Sequence, residues 1–315
     1  MNSQTAPAGV HSIDHFALNV PSLAEADHFY RSFGLDVRKG GEGDGADELE
    51  LRARDGHRWA RVLPASGKSL AYLCFNCYAA DLAQIERQVR AAGASFDVDP
   101  GARRGAADEG IWFYDADGNL LQVKSGAKTS PDSKLPLVQL QTPANARGSV
   151  TRAEAPFVRP RRMSHVLMFS PDVPRILDFY HRALGLRLSD RSLDIIAFTH
   201  GAHGSDHHLV AFAKSSAKGW HHVAWDVARI DDVGIGAAQM AKAGYREGWG
   251  TGRHVLGSNY FHYVRDPWGS FSEYSADIDY VAAGAEWDAG NYQPEDSLYL
   301  WGPDVPDYFI SNTDS

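Results

Sequence analysis

Apolar and polar positions along the chain predict a series of short strands and amphipathic helices, and this series occurs twice. Residues 13–35 begin with a strand that opens with histidine and continue into a helix that carries Phe-Tyr and ends in Gly-Leu. Residues 163–186 repeat each feature, with the same distance between the histidine and the tyrosine. Alternating apolar positions indicate the strand, and apolar positions three and four apart indicate the helix. Both segments therefore predict one strand–helix unit, used twice.

Two further segment pairs extend the repeat. Residues 70–93 and 220–244 each read as a strand followed by an amphipathic helix that ends at a C-cap glycine. Residues 111–123 and 261–274 each read as a strand, a turn containing Asp and Gly, and a second strand. The chain is therefore predicted to consist of two homologous halves, about 8–127 and 160–282.

These elements predict an α+β fold in which each half is built from paired βαβββ modules. Strands rich in aromatic and β-branched residues are expected to curl into a half-open barrel with the helices outside and an apolar pocket inside. The predicted boundaries are an N-terminal domain over 1–135, a linker rich in Pro and small polar residues over 136–160, a C-terminal domain over 161–282, and a tail over 283–315 that packs on the barrel.

Composition narrows the class of partner. The 315 residues include 31 basic and 40 acidic side chains, scattered so that no basic patch predicts a nucleic acid or an anionic membrane as partner. Neither a signal sequence nor an apolar run of about 18 residues is recognisable, so we expect a cytoplasmic protein. Cys74 and Cys77 lie three apart on a predicted buried strand and face opposite ways, which disfavours a redox or metal role. Exposed edges of the barrel halves favour a homo-oligomer.

Comparison of the two halves identifies candidate metal ligands. Residues that build the fold repeat, whereas a set of potential metal ligands does not: the first half has His15, Tyr72 and Gln122 where the second has His165, His222 and Glu273. Two imidazoles and one carboxylate on one face of an ion leave positions free for substrate and oxygen, which points to Fe(II) chemistry with O₂. Mn(II) fits the same ligands. We expect only the second half to bind metal.

A histidine that opens a strand is more often a hydrogen-bonded core residue than a ligand, and His15 fits that description. Strand alternation, however, points His222 into the barrel and His221 away from it. Phe271 and Glu273 share one strand face, so the carboxylate enters an otherwise apolar cavity. Burying it without a cation costs several kcal/mol, which favours a metal site.

Additional polar side chains fall in the same region. His208, on the strand before the His222 strand, is expected to alternate inward while its neighbour His207 faces out, and His200, His203 and His207 are expected to be solvated loop residues. His254 and Tyr263 follow a Gly-rich segment that suggests a backbone shaped around a ligand.

The motif G-T-G-R-H, with Tyr263 nine residues after its histidine and Glu273 ten residues further on, is distinctive. Together with W-H-H-V-A-W and S-H-V-L-M-F it resembles the type I extradiol ring-cleaving dioxygenases of the vicinal oxygen chelate superfamily, such as catechol 2,3-dioxygenases and 2,3-dihydroxybiphenyl dioxygenases. The resemblance covers nearly the whole chain and implies two tandem vicinal oxygen chelate domains.

The resemblance also implies roles for individual residues. His165, His222 and Glu273 would bind Fe(II), His208 would stabilise the oxygen intermediate and donate a proton, and His254 and Tyr263 would hold and deprotonate the catechol. The implied reaction is extradiol cleavage of a catechol with O₂ to a muconic semialdehyde-type product, in aromatic hydrocarbon catabolism. Two alternatives stay open: another metal-dependent enzyme of this fold, such as a glyoxalase-like isomerase, and a non-catalytic protein that binds an aromatic ligand. The sequence does not specify which catechol is used.

Overall fold

A computed structural model describes residues 8–40, 47–139 and 141–314. The N-terminal half forms a seven-stranded mixed sheet in the order β2-β3-β4-β1-β5-β7-β6. Its elements are β1 (Val10–Val20), α1 (Leu23–Phe33), β2 (Asp36–Gly40), β3 (Glu48–Arg52), β4 (Arg58–Pro64), β5 (Ser69–Cys77), α2 (Leu82–Ala91), β6 (Ile111–Tyr114) and β7 (Leu120–Ser125).

The C-terminal half forms a ten-stranded mixed sheet in the order β18-β9-β10-β12-β8-β13-β16-β15-β14-β19, and β11 pairs separately with β17. Its elements are β8 (Arg162–Ser170), α3 (Val173–Leu184), β9 (Arg187–Ser192), β10 (Ile196–His200), β11 (Ser205–Asp206), β12 (Val210–Lys214), β13 (Gly219–Asp226), α4 (Ile230–Lys242), β14 (Gly248–His254), β15 (Tyr260–Arg265), β16 (Phe271–Ala276), β17 (Tyr280–Val281), β18 (Gly290–Asn291) and β19 (Tyr299–Trp301).

The two sheets share one strand order, so the α+β fold class is confirmed, with one difference between the halves. After α2 the first half has only β6 and β7, whereas after α4 the second half has β14, β15 and β16. Residues 94–99 of the first half run beside β6 with a single bridge between Ser95 and Tyr114, and a 3₁₀ turn follows at Pro100–Arg103. This stretch forms that one bridge and no longer ladder before the 3₁₀ turn, so it is not a full strand equivalent to β14.

The helices begin and end where the sequence provides caps. Ser22 accepts a hydrogen bond from the backbone N–H of Glu25 at the start of α1, and Gly34 ends that helix with φ 103°. In the repeat, Asp172 caps α3 and Gly185 ends it with φ 70°. A left-handed residue after the last turn favours glycine, which accounts for the Gly-Leu end of each unit. No helix in the described ranges is long and apolar enough to cross a membrane.

The helices cover the outer face of each sheet and lie between the two halves. α2 packs on α3 and α1 packs on α4, within one apolar core that draws residues from both halves. Phe33 stacks on Tyr274 with ring centres 3.9 Å apart, and the Tyr274 hydroxyl donates to the Phe33 carbonyl at 2.8 Å. One face of the C-terminal sheet is therefore fixed against the partner half, and the opposite face carries the polar side chains described next.

Candidate metal centre and active site

Three adjacent central strands bring the predicted ligands together. His165 lies on β8, His222 on β13 and Glu273 on β16. In the strand register Ala224 of β13 pairs with His165 on one side and with Glu273 on the other, and its small, fully buried side chain leaves room between the two. His222 lies two residues before Ala224 and faces the same side of the sheet. All three side chains are buried.

The geometry of these side chains fits a bound cation. Glu273 Oε2 lies 3.3 Å from His165 Nε2 and 3.6 Å from His222 Nε2. Among the described residues, neither Glu273 Oε2 nor His222 Nε2 has a hydrogen-bond partner, although both atoms are buried. Burying such polar atoms without a partner is costly. One oxygen and two imidazole nitrogens facing a common point are a donor set for a divalent transition metal.

Hydrogen bonds on the far side of each ligand histidine direct its lone pair to this point. Ser164 Oγ donates to Asp206 Oδ2 at 2.7 Å, so it accepts from Nδ1–H of His165 at 3.1 Å and leaves Nε2 unprotonated. The carbonyl of Phe309 accepts from His221 Nε2–H at 2.7 Å, so His221 Nδ1 accepts from His222 Nδ1–H at 2.7 Å. Burial, reinforced by the neighbouring imidazoles, also lowers the pKa of His222 well below its usual range.

His208 faces the same site, but from the segment between β11 and β12 and not from a strand as predicted. Its ring lies 3.9 Å from the ring of His165, centre to centre. Asp190 Oδ2 accepts from His207 Nε2–H at 2.8 Å, so His207 Nδ1 accepts from His208 Nδ1–H at 3.0 Å and His208 Nε2 carries the lone pair. Burial, together with the neighbouring histidines, lowers the pKa of His208 well below its usual range.

His254 ends β14 and Tyr263 lies on the adjacent strand β15. The Leu298 carbonyl accepts from His254 Nδ1–H at 2.7 Å, so Nε2 is the acceptor for the Tyr263 hydroxyl at 2.9 Å. Burial lowers the pKa of His254, and burial with the nearby Glu273 charge raises the pKa of Tyr263 well above its usual range. Both side chains line the same cavity as His165 and His222.

The prediction that His221 faces away from the barrel is wrong. A β-bulge between Trp220 and His222 in the pairing of β13 with β8 adds one residue to β13. Strict alternation fails at a bulge. As a result His221 and His222 both face the cavity, whereas Trp220, Val223 and Trp225 enter the core.

The expectation of solvated loop histidines is also wrong for His200 and His207. His207 is fully buried behind His208, and His200 is buried with Nδ1 at 2.8 Å from Ser189 Oγ. His203 is partly buried beside Asp81. His200 lies on strand β10, and the segment around His207 is held in place by the pairing of β11 with β17.

The Gly-rich segment before His254 is strand β14, and its glycines serve strand packing and not a ligand. A Cβ at Gly248 would lie 1.9 Å from the Tyr263 carbonyl oxygen, and a Cβ at Gly252 would lie 2.6 Å from the Phe261 ring. These glycines allow β14 to approach β15 closely. Trp249 and Phe261 pack behind His254 and Tyr263 as core residues.

Sequence reasoning missed several polar residues that support the site. Asn259 donates from Nδ2 to Glu273 Oε1 and to Ser275 Oγ, both at 2.9 Å. Its position gives a usable signal, because Asn259, Phe261 and Tyr263 fall on one face of a strand. No comparable local pattern identifies Ser164 or the carboxylates that it and His207 reach, since these partners come from other elements.

The corresponding point of the first half is filled by internal hydrogen bonds. The registers of β1, β5 and β7 put His15, Tyr72 and Gln122 where the second half has its three ligands. His15 Nε2 bonds the Tyr72 hydroxyl at 2.9 Å, and Gln122 donates to the Glu109 carbonyl at 3.0 Å.

A separate group of Asp14, His15 and Cys74 also brings possible ligand atoms together in the first half. Its carboxylate, however, already bonds His15 and Asn76 and has Lys124 at 3.5 Å. Burial raises the pKa of the Cys74 thiol well above its usual range, which keeps it protonated. A cationic lysine and a protonated thiol disfavour a metal ion at this point.

The cavity in front of the three ligands has a volume of about 280 Å³. Its walls beyond the histidines are largely apolar and come from β8, β10, β12, the segment after β14 and the C-terminal tail: Leu167, Phe169, Ile195, Ile196, Phe198, Ala213, Leu256, Leu298, Phe309 and Ile310. Within the described ranges, Lys214 is the one Lys or Arg side chain that lines it, and its Nζ donates to the Pro171 carbonyl.

Known proteins share both sequence and fold with this chain. The profile of the Glyoxalase/Bleomycin resistance protein/Dioxygenase superfamily matches residues 12–123 and 162–274. "Metapyrocatechase 2" from Cupriavidus necator is 59% identical over 306 residues, which are 97% of this chain and 93% of that protein.

Two solved structures show the same fold. The Mn(II)-bound glyoxalase from Novosphingobium aromaticivorans has 23% sequence identity and a TM-score of 0.74, and the match covers 96% of this chain and 94% of the other. The 2,3-dioxygenase LapB from Pseudomonas sp. KL28 has 19% identity and a TM-score of 0.70, with 90% and 98% coverage. The fold therefore accommodates different reactions, and the sequence relationship decides between them. The chain belongs to the Glyoxalase/Bleomycin resistance protein/Dioxygenase superfamily and, within it, to the extradiol ring-cleaving dioxygenases.

Proposed function

We propose that this extradiol dioxygenase uses Fe(II) held by His165, His222 and Glu273 to cleave an uncharged catechol that bears an apolar substituent. O₂ is the second substrate and the product is a muconic semialdehyde-type compound. The observation that carries the proposal is that potential ligand atoms of His165, His222 and Glu273 lie within 4.8 Å of one another, beside an apolar cavity that is also lined by His208, His254 and Tyr263.

The donor set supports Fe(II). Two neutral imidazoles and one carboxylate suit a divalent ion, and Mn(II) would satisfy the same donors. When bound, Fe(II) would supply open coordination positions for the catechol oxygens and O₂, and a path for electrons between them. The relative named metapyrocatechase supports a catechol as substrate.

His254 and Tyr263 are positioned to bind and deprotonate the catechol. The unprotonated Nε2 of His254 is a proton acceptor inside the cavity, held in place by the Leu298 carbonyl. In the absence of substrate the Tyr263 hydroxyl donates to that nitrogen. When a catechol binds, the hydroxyl can rotate and donate to a catechol oxygen instead. Transfer of the catechol proton to Nε2 lets the substrate bind as an anion, which strengthens its attraction to a cation.

His208 is positioned on the opposite side of the ligands to act on oxygen. Its Nε2 faces the cavity while Nδ1 bonds His207, and that residue bonds the Asp190 carboxylate. A proton taken up at Nε2 would be stabilised through this chain and delivered to an oxygen atom derived from O₂ as the ring opens. Such transfer by a positioned imidazole is worth about 10²–10⁴ in rate.

The apolar wall of the cavity favours a substrate whose ring carries no charged substituent. The cavity surface is apolar apart from the histidines, Tyr263, Ser192, Asn259, Ser297 and Lys214, and the lysine is directed to the Pro171 carbonyl. A carboxylate on the substrate would therefore be buried without a cationic partner, at a cost of several kcal/mol. Methyl or larger apolar substituents gain instead about 0.8 kcal/mol for each buried CH₂.

A direct assay tests the reaction. Purified protein is reconstituted with Fe(II) without oxygen, given catechol or 3- and 4-methylcatechol in air, and followed by oxygen uptake and by the yellow colour of the semialdehyde. We expect product from all three, and kcat/KM for the methylcatechols at least about 100-fold above that for 3,4-dihydroxyphenylacetate. Absence of colour and oxygen uptake with every catechol would contradict the proposed reaction. Equal rates with the carboxylated substrate would contradict the proposed substrate class.

A homo-oligomeric state and a cytoplasmic location stay predictions. The first is tested by size-exclusion chromatography with light scattering on the metal-loaded protein. The second is tested by fractionation of cells that express the chain at its native level.

A further inference from the structure

We propose that the last part of the C-terminal tail, residues 294–314, supports the metal centre. Two of its backbone carbonyls fix which nitrogen carries the proton in His222 and in His254. This inference rests on the proposed function, since His222 is the proposed ligand and His254 the proposed base. It adds a role for the tail and for His221, which lines the cavity but is neither a proposed ligand nor the proposed base and acts as a positioning residue.

Carbonyl oxygens only accept hydrogen bonds, so each of these contacts has one direction. Phe309 O lies 2.7 Å from His221 Nε2, and His221 Nδ1 lies 2.7 Å from His222 Nδ1. Seating of Phe309 therefore fixes protons on His221 Nε2 and His222 Nδ1, and it leaves His222 Nε2 free to bind metal. Leu298 O fixes His254 in the same way, 2.7 Å from Nδ1.

In His165 and His208, groups outside the tail hold the proton on Nδ1 and leave Nε2 free. His165 reaches Asp206 through Ser164, and His208 reaches Asp190 through His207. Carboxylates hold a proton on the far nitrogen strongly. The tail supplies neutral carbonyls in place of carboxylates, so the orientation of His222 depends on the tail staying in position.

The end of the tail is held along the start of β13 by polar contacts. Asn312 donates from Nδ2 to the carbonyls of Ala217 and Lys218 at 3.1 and 3.0 Å. Asp314 Oδ2 accepts from the backbone N–H of Trp220 at 2.9 Å, one residue before His221. Lys68 from the N-terminal half forms a buried ion pair with Asp314. These contacts fix the tail to the start of β13, the strand that carries His221 and His222.

His221 also suits a test by substitution because its surroundings are aromatic. Its ring lies 5.1 Å from Phe169, 5.3 Å from Phe271 and 4.8 Å from Phe309, centre to centre. His221→Phe keeps this packing and removes both ring nitrogens. His221→Asn is smaller but keeps an oxygen acceptor near the position of Nδ1.

The test measures Fe(II) affinity of the full chain without oxygen or catechol, by competition with a coloured Fe(II) chelator, with circular dichroism as the check on folding. His221→Phe should lower the affinity about 10–100-fold, and His221→Asn should recover most of that loss. Asp314→Ala should make the tail sensitive to limited proteolysis and lower the affinity in parallel, whereas Asp304→Ala, at an exposed tail position, should change neither.

The possible results of this test distinguish a failure of this inference from a failure of the proposed function. Native protein that fails to bind Fe(II) would contradict the proposed function. Native protein that binds Fe(II), with His221→Phe folded and equally tight, would overturn the inference. So would folded His221→Asn no tighter than His221→Phe, or a tail released by Asp314→Ala with unchanged affinity. If His221→Phe does not fold, Asp314→Ala decides the question alone.

Discussion

At the scale of single residues, the site depends on the direction of lone pairs as much as on the choice of ligands. His15 and His165 are equivalent in sequence and in register, yet His15 Nε2 is occupied by the Tyr72 hydroxyl while His165 Nε2 faces a carboxylate. The residue that faces Nε2 therefore decides whether the histidine is held by an internal hydrogen bond or is left available to the proposed metal.

Glu273 and Gln122 provide a matched test of this difference. Glu273→Ala removes the only carboxylate of the donor set and should abolish Fe(II) binding, because two neutral imidazoles alone hold a divalent ion weakly. Gln122→Ala, at the equivalent position of the first half, should leave binding intact. Metal content after reconstitution and desalting measures both. Iron retained by the first variant, or lost from the second, would show that the metal site had been assigned to the wrong half.

Tyr263 tests the proton-transfer role separately from metal binding. Tyr263→Phe removes the hydroxyl that bonds His254 Nε2 but keeps the ring packed against Trp249 and Phe309, so kcat should fall about 100-fold with metal content unchanged. Tyr260→Phe, on the same strand and facing Arg253, should retain native kcat. Steady-state oxygen uptake provides the measurement, and native kcat in Tyr263→Phe would exclude this role.

The proximity of His165, His222 and Glu273 was predictable from sequence because strand alternation and the internal repeat restrict them, whereas the proposed roles of His208, His254 and Tyr263 came from the family resemblance. The orientation of His221 was not predictable, because a single bulge in β13 reverses the expected face. Asp190 and Asp206 were equally inaccessible, since their roles depend on contacts across several elements.

At the scale of elements, close approach of helix and strand fixes the position of β16, the strand that carries Glu273. α4 lies against Tyr274 of this strand, and Gly236 is the point of contact. A Cβ at Gly236 would lie 2.7 Å from the Tyr274 ring, whereas nothing lies within 4 Å of a Cβ at Gly234.

Two substitutions in α4 test this contact. Gly236→Ala should destabilise the protein by about 1–3 kcal/mol, because the added methyl displaces a buried ring. Gly234→Ala, at an exposed position of the same helix, should stabilise it by about 1 kcal/mol through helix propensity. Chemical denaturation of both variants measures the free energy of unfolding. Equal effects of the two substitutions would exclude a tight contact at Gly236.

At the scale of the whole molecule, the two halves share one core and the tail joins them again at the far end. Lys68 of the first half is buried and donates to Ser270 Oγ at 2.5 Å and to the Trp220 carbonyl at 3.2 Å, besides its ion pair with Asp314. This lysine connects the first half to β13, to the turn before β16 and to the tail.

The chain should therefore unfold as one unit. Calorimetry of the metal-free protein should give a single transition, and Lys68→Met should lower the free energy of unfolding by about 3–5 kcal/mol because it leaves a partly buried carboxylate unpaired. Lys134→Met, which removes a more exposed ion pair with Asp277, should cost at most about 1 kcal/mol. Two separate transitions in the native protein would show that the halves are independent.

The absent strand of the first half restricts what evolution or design can recover from the duplication. Replacing Tyr72 with His and Gln122 with Glu would reproduce the ligand set beside His15. The first half would still lack any counterpart of β14, the strand that ends in His254. It would gain an ion without a neighbouring base, because the two halves differ in backbone as well as in side chains and point substitutions do not add a strand.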